Sequence, residues 1–223
     1  MSPRGRALHV DGSLASWYAP GRITTGSVWD ALAAPLLLLP RSRRRRVLVL
    51  GLGGGSAARI VRALAPRAQI VGVERDAEVV RAARGWLDLD ELGIKLEQAD
   101  ARDYLARSRR RFDAILEDVF VGRGRGVHKP AWMLDRGLRL AARRLAPGGL
   151  LVSNTLDETA AVARRLRGMF PAIVRIDVAD YDNRILVGGP PGLSGHTLRS
   201  VVRSDAILAA SGALLSFRTV SSR

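Results

Sequence analysis

The chain has 223 residues, is 47% hydrophobic, contains no cysteine and carries a formal charge of +15. Such a chain can bury a sizeable core, and the missing cysteine excludes disulfides, thiolate metal sites and a cysteine nucleophile. The histidines, His9, His128 and His196, lack metal-ligand spacing, and the longest aliphatic run, residues 36–39, is too short to span a bilayer.

In chain order, MSPRGRALHVDG lacks the apolar centre of a secretion signal, so a cytoplasmic protein is expected. Residues 7–10 and 13–18 flank Asp11-Gly12 and predict a β-hairpin. Residues 27–39 are apolar and predict a helix to about Pro35. The run RSRRRR then leads into a strand at 47–50. Further strands are predicted at 70–73, 94–98, 112–117, 150–154, 172–178 and 184–188. Between them lie helices from about 56, from Asp76 to about Trp86, at 101–107, 132–145 and 157–170, with a Pro147-Gly148-Gly149 turn. Residues 190–223 predict one helix, 196–210, and an apolar tail.

Alternating strands and helices imply an α/β fold with a mainly parallel sheet, and the last two strands, with no helix between them, imply an antiparallel edge. Three segments follow: a hairpin and helix at 1–40, a Rossmann-like domain at 41–190, and a C-terminal helix and tail at 191–223.

Gly51, Gly53 and Gly55 form a glycine-rich turn between the first strand of the sheet and the next helix. Such a turn lets the backbone approach a ligand, and the helix N-terminus offers free N–H groups. Glu74 ends the next strand, where an acid can take two hydrogen bonds from a ribose. Asp100 and Asp118 follow the third and fourth strands. The carboxyl ends of parallel strands border the ligand crevice, so all four positions converge there. Asp100 is read equally as a helix cap, and Asp118 as functional.

In the order and spacing of these features, residues 8–187 resemble the spermidine synthase family, a branch of the class I fold of transferases that use S-adenosylmethionine (AdoMet). The matching stretches are LHVDG at the start, the strand and turn at 47–56, Glu74, Asp100 with Ala101, DAILEDVF, LAPGGLLVSN and YDNRILV. The resemblance implies a Rossmann-like methyltransferase fold with a seven-stranded sheet. It implies AdoMet or decarboxylated AdoMet as cofactor, lying along Gly51, Gly53 and Gly55, with Glu74 on the ribose and Asp100 and Ala101 near the adenine. The resemblance implies that Asp118 takes the catalytic position, where the family deprotonates an attacking amine. It is also compatible with a homodimer.

The sequence departs from the family at three places. Gly54 stands where the turn often has aspartate, Val121 where a second substrate aspartate is expected, and Val28 where a substrate tyrosine is expected. Polyamines are polycations and need several carboxylates. Here Asp118 remains, with Asp30 and Glu117 as the other candidates. A turn acid would repel the AdoMet carboxylate by roughly 3 kcal/mol at about 5 Å and an effective dielectric near 20. Gly54 removes that repulsion, so methyl transfer to a small-molecule acceptor is the leading reading. Aminopropyl transfer is the alternative, and a non-catalytic nucleotide-binding module is a further one. A Gly54→Asp substitution is expected to shift preference toward the decarboxylated cofactor.

The glycine-rich, basic segment 119–129 reads as a loop over the crevice and favours an anionic acceptor. The arginine runs at 41–46 and 109–111 precede neighbouring strands, so they lie at the amino ends, away from the crevice. Lys95 and Lys129 are the only lysines, which points to arginine-rich coding, and a nucleic acid partner on this basic face is not favoured.

Overall fold

The computed structural model describes residues 5–220. The outer ends of the two terminal segments, 1–4 and 221–223, lie outside the described residues. A hairpin of β1 (Arg6–Val10) and β2 (Ser13–Tyr18) opens the chain. Asp11 and Gly12 both have positive φ, 49° and 78°, the turn geometry whose twist matches a tight hairpin. Helix α1 (Val28–Ala33) follows and tightens into a 3-10 turn, Ala34–Leu38, at Pro35. Proline has no N–H to continue the α-helical ladder.

The main sheet has eight strands in the order β10-β8-β9-β7-β6-β3-β4-β5. They are β3 (Arg46–Leu50), β4 (Gln69–Glu74), β5 (Lys95–Gln98), β6 (Phe112–Glu117), β7 (Leu145–Thr155), β8 (Ala172–Val178), β9 (Arg184–Gly189) and β10 (Leu215–Thr219). The first five are mutually parallel, and β9, β8 and β10 add antiparallel pairs. The seven expected strands are present. The eighth, β10, is part of the segment that sequence reading left as an apolar tail. Leu215 and Phe217 are buried, and pairing with β8 satisfies their backbone.

The other helices are α2 (Ser56–Leu64), α3 (Ala77–Trp86), α4 (Ala101–Arg107), α5 (Leu138–Arg143), α6 (Thr159–Arg167) and α7 (Gly195–Ser204). They cover both faces of the sheet. Along β3, Val47 and Val49 join the core under α1, α2 and α7, while Leu48 and Leu50 join the core under α4, α5 and α6. This alternation follows from the period-two geometry of a strand. The expected helix at 132–145 is interrupted by a π-helical turn, Met133–Gly137, where a Cβ on Gly137 would meet Trp132 and Met133 at 2.7 Å. Pro147-Gly148-Gly149 makes an irregularity within β7 rather than a separate turn, since pairing jumps from Phe112 with Leu145 to Ala114 with Leu150.

The arginine runs lie at the amino ends of β3 and β6. Arg44 caps three carbonyls, Leu37, Leu39 and Leu64, and Arg43 reaches the carbonyl of Pro147. The N–H groups of Arg45 and Arg46 donate to Asp113 at 3.2 and 2.9 Å. Part of this run therefore joins chain segments. No helix among the described residues is long and apolar enough to cross a membrane.

Candidate active site

The sheet changes direction at β3 and β6: β4 and β5 extend one way, β7 the other. Ligands of open α/β sheets bind at that switch, beyond the carboxyl ends of the strands. Here Gly51 follows β3 and Asp118 follows β6. Gly51 has φ +75°, and a Cβ on it would lie 2.4 Å from the carbonyl oxygen of Asp118. Only glycine permits both this backbone conformation and this approach. The turn thus closes against the acid that the sequence singled out.

A cavity of about 610 Å³ opens at the switch point. Gly51, Gly53, Glu74, Asp100, Ala101 and Asp118 all line it, so six of the seven expected site residues converge. Glu74 accepts the Gly53 N–H at 2.9 Å through Oε2, while Oε1 accepts the N–H groups of Arg75 and Asp76. These bonds fix the carboxylate at the end of β4. Asp100 caps α4 by accepting the Arg102 N–H at 2.7 Å and also borders the cavity.

Gly55 is the exception. It is the N-cap of α2 at φ +88°, and a Cβ there would meet Leu89 and Leu92, not the cavity. Gly54 is also turned away. Its N–H donates to Ser16 Oγ at 2.6 Å, and a Cβ there would meet Leu87 at 2.3 Å and Ser16 at 2.8 Å. The expectation that an acid at this position would lie beside the cofactor is therefore corrected: a side chain here would point at Ser16 of the hairpin and at Leu87.

Asp118 is held at both oxygens. Asn154 donates to Oδ1 at 2.7 Å and the Trp29 indole N–H donates to Oδ2 at 3.2 Å. Asn183 in turn donates to Asn154 at 2.9 Å. Burial pushes the Asp118 carboxyl up to about 6, outweighing the Asn154 hydrogen bond and the nearby Lys129 charge.

Two candidate substrate acids are structural instead. Glu117 is fully buried, receives a hydrogen bond from Lys129 Nζ at 2.7 Å and another from Ser153 at 2.5 Å. Asp30 is buried and accepts from the Thr25 N–H and hydroxyl, the Gly26 N–H and the Ser211 hydroxyl. Neither lines the cavity.

The hairpin tip and the segment 119–129 meet across the opening. The Gly124 N–H donates to the Asp11 carbonyl at 2.9 Å, Ser13 donates to the Gly124 carbonyl at 3.1 Å, and Arg123 lies 3.4 Å from Asp11. A bridge between Val121 and His128 closes the base of this loop.

Residues 47–149 match a methyltransferase domain family. A polyamine aminopropyltransferase of Chromobacterium violaceum is 39% identical over 112 residues, 49% of this chain and 42% of that protein. The crystal structure of a probable spermidine synthase from Corynebacterium glutamicum superimposes with a TM-score of 0.75 at 21% identity, over 97% of this chain and 84% of that one. Together these similarities support a spermidine synthase-like family of the class I methyltransferase fold. The chain spans half the length or less of the curated relatives it matches. Human methyltransferase-like protein 13, in complex with SAH, shares the fold with a TM-score of 0.61 at 24% identity, over 83% of this chain and 90% of that one.

Sequence reasoning missed several residues of this site. Asn154 and Asn183 lie inside LVSN and YDNRILV, two stretches that carried the resemblance, yet only the strand order β9-β7-β6 brings them to Asp118. Trp29 and Trp132 also line the cavity. No spacing rule connects them to it, because α1 and the π-helical turn reach the opening from different parts of the chain.

Proposed function

We propose that the protein is an AdoMet-dependent methyltransferase acting on a small-molecule acceptor. The cavity is in the size range of small-molecule sites and its polar groups suit the cofactor. Glu74 would hold the ribose hydroxyls, Asp100 and Ala101 would flank the adenine, and Gly51 and Gly53 would let the backbone approach the sulfonium end. AdoMet, once bound, supplies an electrophilic methyl group on a positive sulfur. Asp118 would take the proton of the attacking acceptor, and Asn154 and Trp29 would keep its carboxylate aimed.

The observation that carries methyl transfer is the shortage of acids beyond the cofactor end. Among the described residues, Asp118 is the one cavity-lining carboxylate carried by β6, β7, β9 or the loops at their ends; Glu117 is neutralised by Lys129, Asp30 is saturated, and Asp11 at the hairpin tip faces Arg123. A polyamine would bring two or more positive charges to one acid. Aminopropyl transfer from decarboxylated AdoMet is the second reading. The polyamine aminopropyltransferases among the relatives and the carboxylate of Asp118 in the cavity support it.

Calorimetric titration with AdoMet, decarboxylated AdoMet, methylthioadenosine and NAD tests the proposal. Preference for AdoMet is the expected result. Preference for the decarboxylated form would transfer the assignment to aminopropyl chemistry, and no binding of either would leave a non-catalytic module.

A further inference from the structure

Resting on the methyl-transfer reading, we infer that the acceptor is a hydroxylated aromatic acid, its ring against the aromatic wall, its hydroxyl at Asp118 and its carboxylate at Arg125. Four aromatic side chains, Trp29, Phe120, Trp132 and Tyr181, line the cavity on the β6, β7 and β9 side. Such walls suit a flat apolar body, because aromatic faces and edges attract one another beyond the area they bury. Two of them are fixed by polar contacts of their own. Trp29 donates its indole N–H to Asp118, and Phe120 lies under Lys129 Nζ at 4.4 Å.

Asp118 and Arg125 are the charges that β6 and the loop after it bring to the cavity, and Asp11 of the hairpin tip, which also lines it, faces Arg123. The other basic side chains of the loop are occupied: Arg123 faces Asp11, Lys129 is buried on Glu117, and the His128 ring is bonded to the Gly126 carbonyl. Arg125 is exposed, lines the cavity and makes no hydrogen bond or ion pair among the described residues. A free guanidinium offers a planar fork of donors that matches a carboxylate in two bonds. The remaining acid and the remaining cation thus call for opposite ends of one molecule.

The chemistry at Asp118 favours a hydroxyl over an aliphatic amine. An aliphatic amine arrives as an ammonium and must first give up a proton before it has a lone pair to attack with. A phenolic hydroxyl arrives neutral. Its oxygen forms the new bond to the methyl carbon as the carbon–sulfur bond breaks. The bonding electrons return to sulfur, neutralising it, and the phenolic proton passes to Asp118.

The test measures methyl transfer from AdoMet to a panel of hydroxybenzoates, to phenol and to putrescine, by product mass and by cofactor turnover. A hydroxybenzoate is expected to exceed phenol in kcat/KM by at least about tenfold, with putrescine silent. Arg125→Glu is expected to erase that preference mainly through KM, with thermal unfolding as the control on folding. Methylation of putrescine, a preference that survives Arg125→Glu, or AdoMet binding with no turnover or saturable binding of any hydroxybenzoate would overturn the inference. Failure of the methyl-transfer reading itself is separate: AdoMet would then not bind, or decarboxylated AdoMet would transfer its aminopropyl group.

Discussion

Lys129 Nζ lies 2.7 Å from Glu117 Oε1, and both side chains are 0% exposed. The pair joins the end of the loop over the cavity to the last residue of β6, next to Asp118. Ser153 donates to the other Glu117 oxygen, and the Lys129 backbone N–H donates to Glu158. The bury-and-pair arrangement removes a negative charge from beside the catalytic candidate without opening Glu117 to the cavity.

Lys129→Met alone is expected to destabilise the protein by about 3–5 kcal/mol, because it leaves a buried charge uncompensated. The double variant Glu117→Gln, Lys129→Met is expected to recover most of that loss. Urea unfolding of the single and double variants checks the cycle, and a double variant as unstable as the single would show that packing, not charge, dominates.

Asp118 must be ionised to accept a proton. With its carboxyl at about 6, activity is expected to fall as pH drops through about 6, and Asp118→Asn should lower kcat by roughly 10²–10⁴. The stability effect has the opposite sense. The folded pKa lies above the ordinary value of 3.8, so the native state binds the extra proton between 3.8 and about 6. Stability from this group is complete below that window and is lost as pH rises through it. Asp118→Asn is therefore expected to be more stable than the parent at pH 7 by about 2 kcal/mol, allowing for the poorer Trp29 contact, with the gap closing toward pH 4. Denaturation at both pH values reads the difference.

Gly54→Asp should not retune cofactor choice. Its side chain would enter the contact with Ser16 and Leu87 and disturb the Ser16 hydrogen bond, costing about 1–3 kcal/mol. Thermal unfolding and paired titrations with AdoMet and decarboxylated AdoMet measure the two effects. An unchanged melting temperature with a shifted cofactor preference would reverse this expectation.

Asp30→Ala is expected to cost about 3 kcal/mol or more. It leaves buried donors from Thr25, Gly26 and Ser211 without an acceptor and loosens the tie between α1 and the C-terminal segment. Denaturant unfolding measures the loss. If Asp30 were instead a substrate carboxylate, acceptor KM would rise with little change in stability.

Much of the fold is legible locally. Strand and helix periods place β3 to β9, and the Asp11-Gly12 pair places the hairpin, because each depends on neighbours in sequence. β10 was not legible, since a short apolar segment near the chain end reads as a strand only once β8 offers an unpaired edge. The site divides in the same way. Gly51, Glu74, Asp100 and Asp118 are legible because strand ends of a parallel sheet meet at one edge. Asn154 and Asn183 are not, because the order in which strands pair brings them together, and Trp29 is not, because it reaches Asp118 through the packing of α1.

By itself the sequence determined the α/β class, the parallel strands and the acids at their carboxyl ends, all of which follow from periodicity and turn chemistry. Only the tertiary structure decided which side chains face the cavity. Gly54 turns toward the hairpin, Asp30 and Glu117 are consumed by buried partners, and Arg125 is left open, because facing is set by packing against residues distant in the chain.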